Sequence, residues 1–228
     1  MTITIIGTSH IAKDSVSTVT KAVREGHEQI IAVELDRQRL HALEQGITGR
    51  PRLADMPHIG VSGFLFALVG HWAQKKLGNV VGVSPGSDML AAVKEARSQG
   101  KGIALIDRNI QITLKRFSQL FGWKEKLKMV WDIVVQTLSL KKMPFDIRKV
   151  PQDELIGKLL YEIRTSYPGL YTALIHERNV FMARRLQKLQ ADHPETDIIA
   201  IVGAGHKKGI EEILGKDEPR EMTFSYSI

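Results

Sequence analysis

Two histidines stand out by what precedes them. Gly7-Thr8-Ser9-His10 and Gly203-Ala204-Gly205-His206 share one spacing: a glycine closes a β-branched run, and a histidine follows three residues on. Glu34 closes another such run, and Arg108 follows a third. Imidazole nitrogens and a carboxylate oxygen are donors suited to Mn, Co, Fe or Zn. An incomplete protein ligand set leaves positions open for water and substrate, and a metal-bound water is acidified enough to attack a carbonyl near neutral pH. His10, Glu34 and His206 are therefore candidate metal ligands. Each has a plainer reading when taken alone: a turn histidine, a helix-cap carboxylate or, for Arg108, a surface charge. Their joint position after apolar runs is what singles them out.

These residues meet only if the runs before them are neighbouring strands. Thr2 to Ile6, Ile30 to Val33, Ile103 to Ile106 and Asp197 to Val202 are short, β-branched and apolar on both faces, as buried parallel strands are. Helical segments intervene, one capped by Asp14 or Ser15 and stopped at Gly26, another capped by Asp36 and stopped at Gly46. In open parallel sheets ligands gather beyond the carboxyl ends of the strands. His10, Glu34, Arg108 and His206 then converge on one edge, with a tight, left-handed backbone admitted by the glycine of each turn.

The expected fold class is α/β, a central and mostly parallel sheet flanked by helices, in one domain over 1–228. Its sheet core draws on 1–50, 100–110 and 195–228, where Met222 to Tyr226 alternates like an edge strand. The stretches 53–99 and 110–191 are mainly helical and form an inserted layer, with a break at Gly122, a loop from Met143 to Pro151 and an interruption at Pro168-Gly169.

Composition narrows the chemistry. The absence of cysteine excludes disulfides, zinc ribbons and thiol catalysis, and suits a reducing, cytoplasmic setting. Gly203-x-Gly205-x-x-x-Gly209 misses the dinucleotide fingerprint by one residue, and no phosphate loop occurs. The opening MTITIIGTSH has no basic leader, so no signal peptide is expected. The most apolar stretch, Ile59 to Trp72, is broken by Ser62, His71 and three glycines and reads as a buried helix.

The net charge of +7 is concentrated: Lys94 to Lys149 holds 13 Lys/Arg against 5 Asp/Glu. Such a segment attracts anionic partners, but no nucleic-acid signature accompanies it, so nucleic acid is not an expected partner. A solvated lysine-rich face is the plainer reading. Trp123 to Lys142, apolar on one side with lysines at both ends, also suits a homodimer helix or contact with a membrane surface.

After Pro168 the sequence reads His176-Glu177-Arg178-Asn179. Successive helical residues point in different directions, so Glu177 and Arg178 cannot face one pocket equally. Spacing alone makes this a charged, exposed helix.

Five blocks in order, IIGTSHIAKDSV, IIAVELDRQRL, ALIDRNIQITLKR, IHERNVFMARRL and IAIVGAGHKKGI, resemble the TraB/PrgY family from about Thr4 to Leu214. That family is related to the GumN and TIKI proteins and, more distantly, to the erythromycin-esterase/ChaN-like fold. The resemblance implies a divalent-metal-dependent peptidase, active with Mn or Co, whose two Gly-x-x-His motifs fall on His10 and His206. It places the acidic residue after the second strand on Glu34 and an Asp-Arg pair on Asp107 and Arg108. Its Glu-Arg-Asn block falls on Glu177, Arg178 and Asn179. Glu177, Arg178 and Arg108 are then expected to handle protons and the developing oxyanion, and Asn179 to bind the substrate, a peptide or protein. PrgY is linked to reduced peptide-pheromone activity, so a non-catalytic peptide- or signal-binding regulator is the alternative. Many members continue into a hydrophobic membrane region, which makes membrane association an expectation for a shortened form.

Overall fold

A computed structural model of the chain describes residues 2–8, 13–47, 53–81, 86–138 and 152–215. Four strands, β1 (Ile3–Thr8), β2 (Ile30–Val33), β3 (Gly102–Leu105) and β4 (Ile198–Gly203), form one sheet in the order β1-β4-β2-β3, with every neighbouring pair parallel. The central strand β4 is IIAIVG and is buried at every residue. A strand covered by helices on both faces has no polar side to show, which is why these runs are continuous rather than alternating. Register places Thr8 opposite Gly203, and Val33 opposite both Ile201 and Leu105, so all four carboxyl ends share one edge.

Between β1 and β2 runs α1 (Lys13–Glu25); α2 (Arg37–Glu44), α3 (Met56–Val81) and α4 (Ser87–Ser98) lie between β2 and β3. The passage from β3 to β4 carries α5 (Ile110–Leu120), α6 (Trp123–Leu138), α7 (Gln152–Ser166), α8 (Pro168–Tyr171) and α9 (Glu177–Asp192), and α10 (Ala204–Leu214) follows β4. On one face Val19, Val23, Leu40, Met89 and Val93 of α1, α2 and α4 pack on Ile31, Val33, Ile199 and Ile201. On the other, Met182, Leu186 and Ile210 of α9 and α10 pack on Ile30, Ala32, Ile198 and Ala200. Each fully buried Ile, Leu or Met contributes about 1.5–3 kcal/mol. A separate layer gathers around Phe64, Leu114, Phe117 and Phe121, while α4 and α9, from the stretches read as an inserted layer, pack on the sheet itself.

Several local expectations are corrected. Gly203 has φ −60° and ψ 140°, so its turn is extended rather than left-handed. Gly7 lies inside β1, where a Cβ would stand 3.2 Å from the Cα of Ala204; its smallness serves the close approach of α10 to the strand. The apolar helix α3 is bent at Gly60, where φ is 76°. Gly86, with φ 87°, leads into α4, which starts at Ser87. Asp36 does cap α2, accepting from the Gln38 and Arg39 amides at 2.8 and 3.0 Å. His10, the 143–151 loop and the strand expected at Met222 to Tyr226 lie outside the described residues.

Among the described residues, no helix is long and apolar enough to cross a membrane. One side of α6 is nonetheless open to solvent at Trp123, Leu127, Val130 and Trp131.

Because Ile201 is fully buried between layers and Ile112 is half exposed, Ile201→Ala should cost about 2–5 kcal/mol in urea unfolding while Ile112→Ala stays within about 0.5 kcal/mol.

Candidate functional site

The shared strand edge carries a buried polar cluster whose hub is Arg178. This residue opens the second position of α9 and reaches down to the sheet, with its side chain 14% exposed. One guanidinium nitrogen, Nη2, donates to Glu34 Oε1 and to Asp107 Oδ2, the latter at 2.7 Å; Nε donates to Asp107 Oδ1 at 3.2 Å. The other, Nη1, meets His206 Nε2 at 2.8 Å. Burial works against the charge here, but Glu34 and Asp107 outweigh it and hold the guanidinium pKa above its ordinary range.

Glu34 follows β2 directly, and its second oxygen accepts the Gly203 amide at 2.6 Å, fastening the end of β2 to the end of β4. His206 sits in the first turn of α10, its Nε2 3.4 Å from Glu34 Oε1. A guanidinium only donates, so Nε2 must be the accepting nitrogen of the imidazole. The ring proton is therefore on Nδ1, where it donates to Asn179 Oδ1 at 2.6 Å. Asn179 is itself buried, and Gly209 of α10 makes room for it: a Cβ at Gly209 would overlap the Asn179 amide. A strand-end carboxylate, a helix arginine, a histidine and the amide that sets its tautomer thus form one network.

Glu177 and Arg108 form a second network one residue away. Arg108 Nη1 donates to Glu177 Oε2 at 3.1 Å, Nη2 to the Ala173 carbonyl at 3.0 Å and Nε to Thr113 Oγ1 at 3.0 Å. Arg116 of α5 donates to Glu177 Oε1 through Nη2 at 2.6 Å and through Nε at 3.0 Å. Arg116 pulls the Glu177 carboxyl pKa below its ordinary value, burial opposes it, and Arg108 adds to the lowering. The helix expected to run unbroken from Pro168-Gly169 instead passes through α8 and a π-turn, Thr172–His176. A π-turn shifts the ladder by one residue and is frequent at functional sites; here its Ala173 carbonyl receives Arg108.

Of the expected site residues, the structure brings together Glu34, His206, Arg178 and Asn179. It puts Arg108 and Glu177 with each other rather than with Glu34, and Asp107, not Arg108, turns into the Arg178 cluster. Arg116 and Thr113 went unremarked in the sequence, having no motif of their own. So did a contact at the end of β1: the Thr8 hydroxyl donates to the buried Asp88 carboxylate at 2.6 Å. His10 follows Thr8 by two residues, outside the described residues.

A divalent ion is implied by the resemblance, and the donor set accommodates it in part. Glu34 Oε1 and His206 Nε2, at 3.4 Å, have the separation of two adjacent ligands each about 2.0–2.2 Å from one ion. With Glu34 and Asp107 formally anionic against Arg178 alone, the cluster also carries one net negative charge. Against this, the Arg178 guanidinium bonds both donors, and among the described residues no group of three or more His, Asp or Glu side chains stands ready to hold a metal. Two donors suit an ion, and Arg178 is the cation that now bonds both.

Fold and site together define a parallel α/β domain with a carboxylate–arginine–histidine cluster at its strand ends. The chain belongs to the TraB/PrgY/gumN family, whose model matches residues 1–225. An uncharacterized protein of Methanocaldococcus jannaschii is 36% identical over 221 residues, covering 94% of this chain and 53% of that protein. TraB domain-containing proteins of Bos taurus and Homo sapiens are 26% and 25% identical, over 91% and 93% of this chain and 61% and 62% of their own lengths. The chain spans between half and two thirds of the length of these relatives.

Two expectations test this construction. Gly209→Ala should displace Asn179 and cost about 1–3 kcal/mol in thermal unfolding, whereas Gly205→Ala, with open space around it, should be neutral or stabilising by up to about 1 kcal/mol. The Glu177 carboxyl titrates lower when folded than when unfolded, so its stabilisation is complete above about pH 4.5 and is lost as pH falls through the folded value. Melting curves should therefore show Glu177→Gln destabilised by about 1–3 kcal/mol at pH 7, the gap to wild type closing in acid.

Proposed function

We propose that this domain is a metal-dependent hydrolase acting on peptides, with Glu34 and His206 as ligands and His10 completing the set. The observation that carries this reading is the pairing of a strand-end carboxylate with a histidine nitrogen at 3.4 Å, beside the end of the strand that leads to His10. A divalent ion there would supply an acidified water and polarise a carbonyl. The chain's own contribution is preorganisation. Asn179 directs the Nε2 lone pair of His206 into the site, and the Gly203 amide fixes the Glu34 carboxylate. Asn179 thus joins the proposal as a positioning residue rather than a contact to substrate. Arg178, released from Glu34 when a ligand binds, is the donor for a developing oxyanion. Glu177, held ionised by Arg116 and Arg108, is a poor proton donor at neutral pH; in this proposal it and Arg108 position α9.

A second reading, a regulator that captures peptides without cleaving them, is favoured by one observation: Arg178 already bonds both donors internally. A pooled peptide library incubated with the Mn- or Co-loaded chain, read by mass spectrometry, separates the two. Cleavage that drops to background in Glu34→Gln and His206→Ala, and by about 10–100-fold in Asn179→Ala, is the expected result. Full turnover in a His10→Ala, His206→Ala double variant would reject the proposed metal site, and peptide binding without turnover in any metal would reject the hydrolase.

A further inference from the structure

The sheet ends at β3, which pairs with β2 on one side only. The Gly102 and Ile106 amides donate inward to the carbonyls of Gln29 and Val33 at 2.8 and 3.0 Å. Parallel ladders use every second residue, so the N–H and C=O groups of Ile103 and Leu105 face outward. Among the described residues no strand takes them. An open strand edge is a template for an added strand, and peptide-binding domains use it that way.

In front of this margin lie two hollows of about 790 and 580 Å³, which share Ile103, Ala104 and Leu189 and so form one groove along the strand. Residues of α9, Phe181 and Leu189 among them, make one wall, and the start of α2 closes the far end. There the groove reaches Asp107 and Arg108, the residues through which β3 joins the two polar networks.

The charge of the groove selects its occupant. Of its acidic side chains, Asp36 caps α2, Asp107 holds Arg178 and Asp192 lies 3.7 Å from Lys188, while the exposed Glu195 stands at the opposite end, in the hollow beside Gly102. Arg108 is likewise taken up by Glu177. Arg37 and Arg185 are exposed and, among the described residues, have no carboxylate partner. Arg37 and Arg185 outweigh Glu195, so the uncommitted charge is positive on balance and wholly positive in the hollow next to α2.

We propose that the open margin of β3 binds an acidic peptide as an additional strand, with Arg37 and Arg185 meeting its carboxylates. Four residues of β3 match about four residues of extended peptide, at roughly 3.3 Å each. This deepens the peptide reading given above by naming how the peptide is held. It concerns binding alone and does not depend on cleavage.

The test titrates the full-length, isotope-labelled chain with the acetylated hexapeptide Glu-Val-Thr-Val-Thr-Glu. Saturable binding should slow hydrogen exchange at the Ile103 and Leu105 amides. N-methylation at alternate peptide positions should abolish binding in one phase and spare it in the other, which a purely electrostatic contact would not do. An Arg37→Glu, Arg185→Glu variant should bind at least tenfold more weakly and should accept the peptide with lysine in place of glutamate. Binding indifferent to N-methylation, protection at β1 instead of β3, or no binding at 1 mM peptide would each overturn the proposal. Repeating the titration on Glu34→Gln keeps the two readings apart: binding there is expected to be unchanged, and peptide binding by the wild-type chain without cleavage in any metal would condemn only the catalytic reading.

Discussion

A buried guanidinium cannot be left alone, and the architecture around Arg178 follows from that. Deprotonation is closed to arginine, and desolvating its charge costs several kcal/mol unless carboxylates surround it. The two that do come from the ends of β2 and β3, and the third partner comes from the first turn of α10. One side chain from a helix on one face of the sheet therefore ties together two strands and the helix that follows a third. Glu34 adds its own bond to the Gly203 amide, so the gap between β2 and β4 is closed by polar contacts just where the ladder stops.

How legible this was depends on where each residue sits. The four strands can be read to within one or two residues, because a strand buried on both faces must be a continuous apolar run and stops near where polar side chains begin. Glu34 and His206 are visible for the same reason: they stand at those stops. Asp107 and Arg108 share a stop, and only register decides which turns towards the neighbouring strand; the plainer guess, Arg108, belongs to the other network. Arg178 comes from a helix whose approach depends on a π-turn, and no periodicity announces a one-residue shift in a helical ladder. Resemblance to a family, not spacing, drew attention to it. Gly209 looks like a weak spot in a helix until Asn179 is found against it.

The same geometry explains why one helix can serve two networks. Glu177 and Arg178 are consecutive, so their side chains diverge by roughly 100° around the helix axis. Glu177 faces α5, where Arg116 waits, and Arg178 faces the sheet. Arg108 spans from the end of β3 to Glu177 and to the π-turn carbonyl, so the helical layer and the sheet are joined through paired charges rather than through a shared apolar core. That arrangement fits the separation of the apolar clusters, two on the sheet and two in the helical layer.

What the site can do turns on a competition between cations. Glu34 and His206 present an oxygen and a nitrogen at a spacing that one ion could bridge, yet the guanidinium already bonds to both. Any cation that enters must offer more than those hydrogen bonds, and once it has entered Arg178 is left with Asp107 alone. The displaced guanidinium would then be a mobile positive charge next to the place where a carbonyl would be attacked. In the proposed hydrolase, occupancy of the site and readiness of the oxyanion donor would in this sense be one event, because the same guanidinium that holds Glu34 and His206 in the empty cluster would be the group set free.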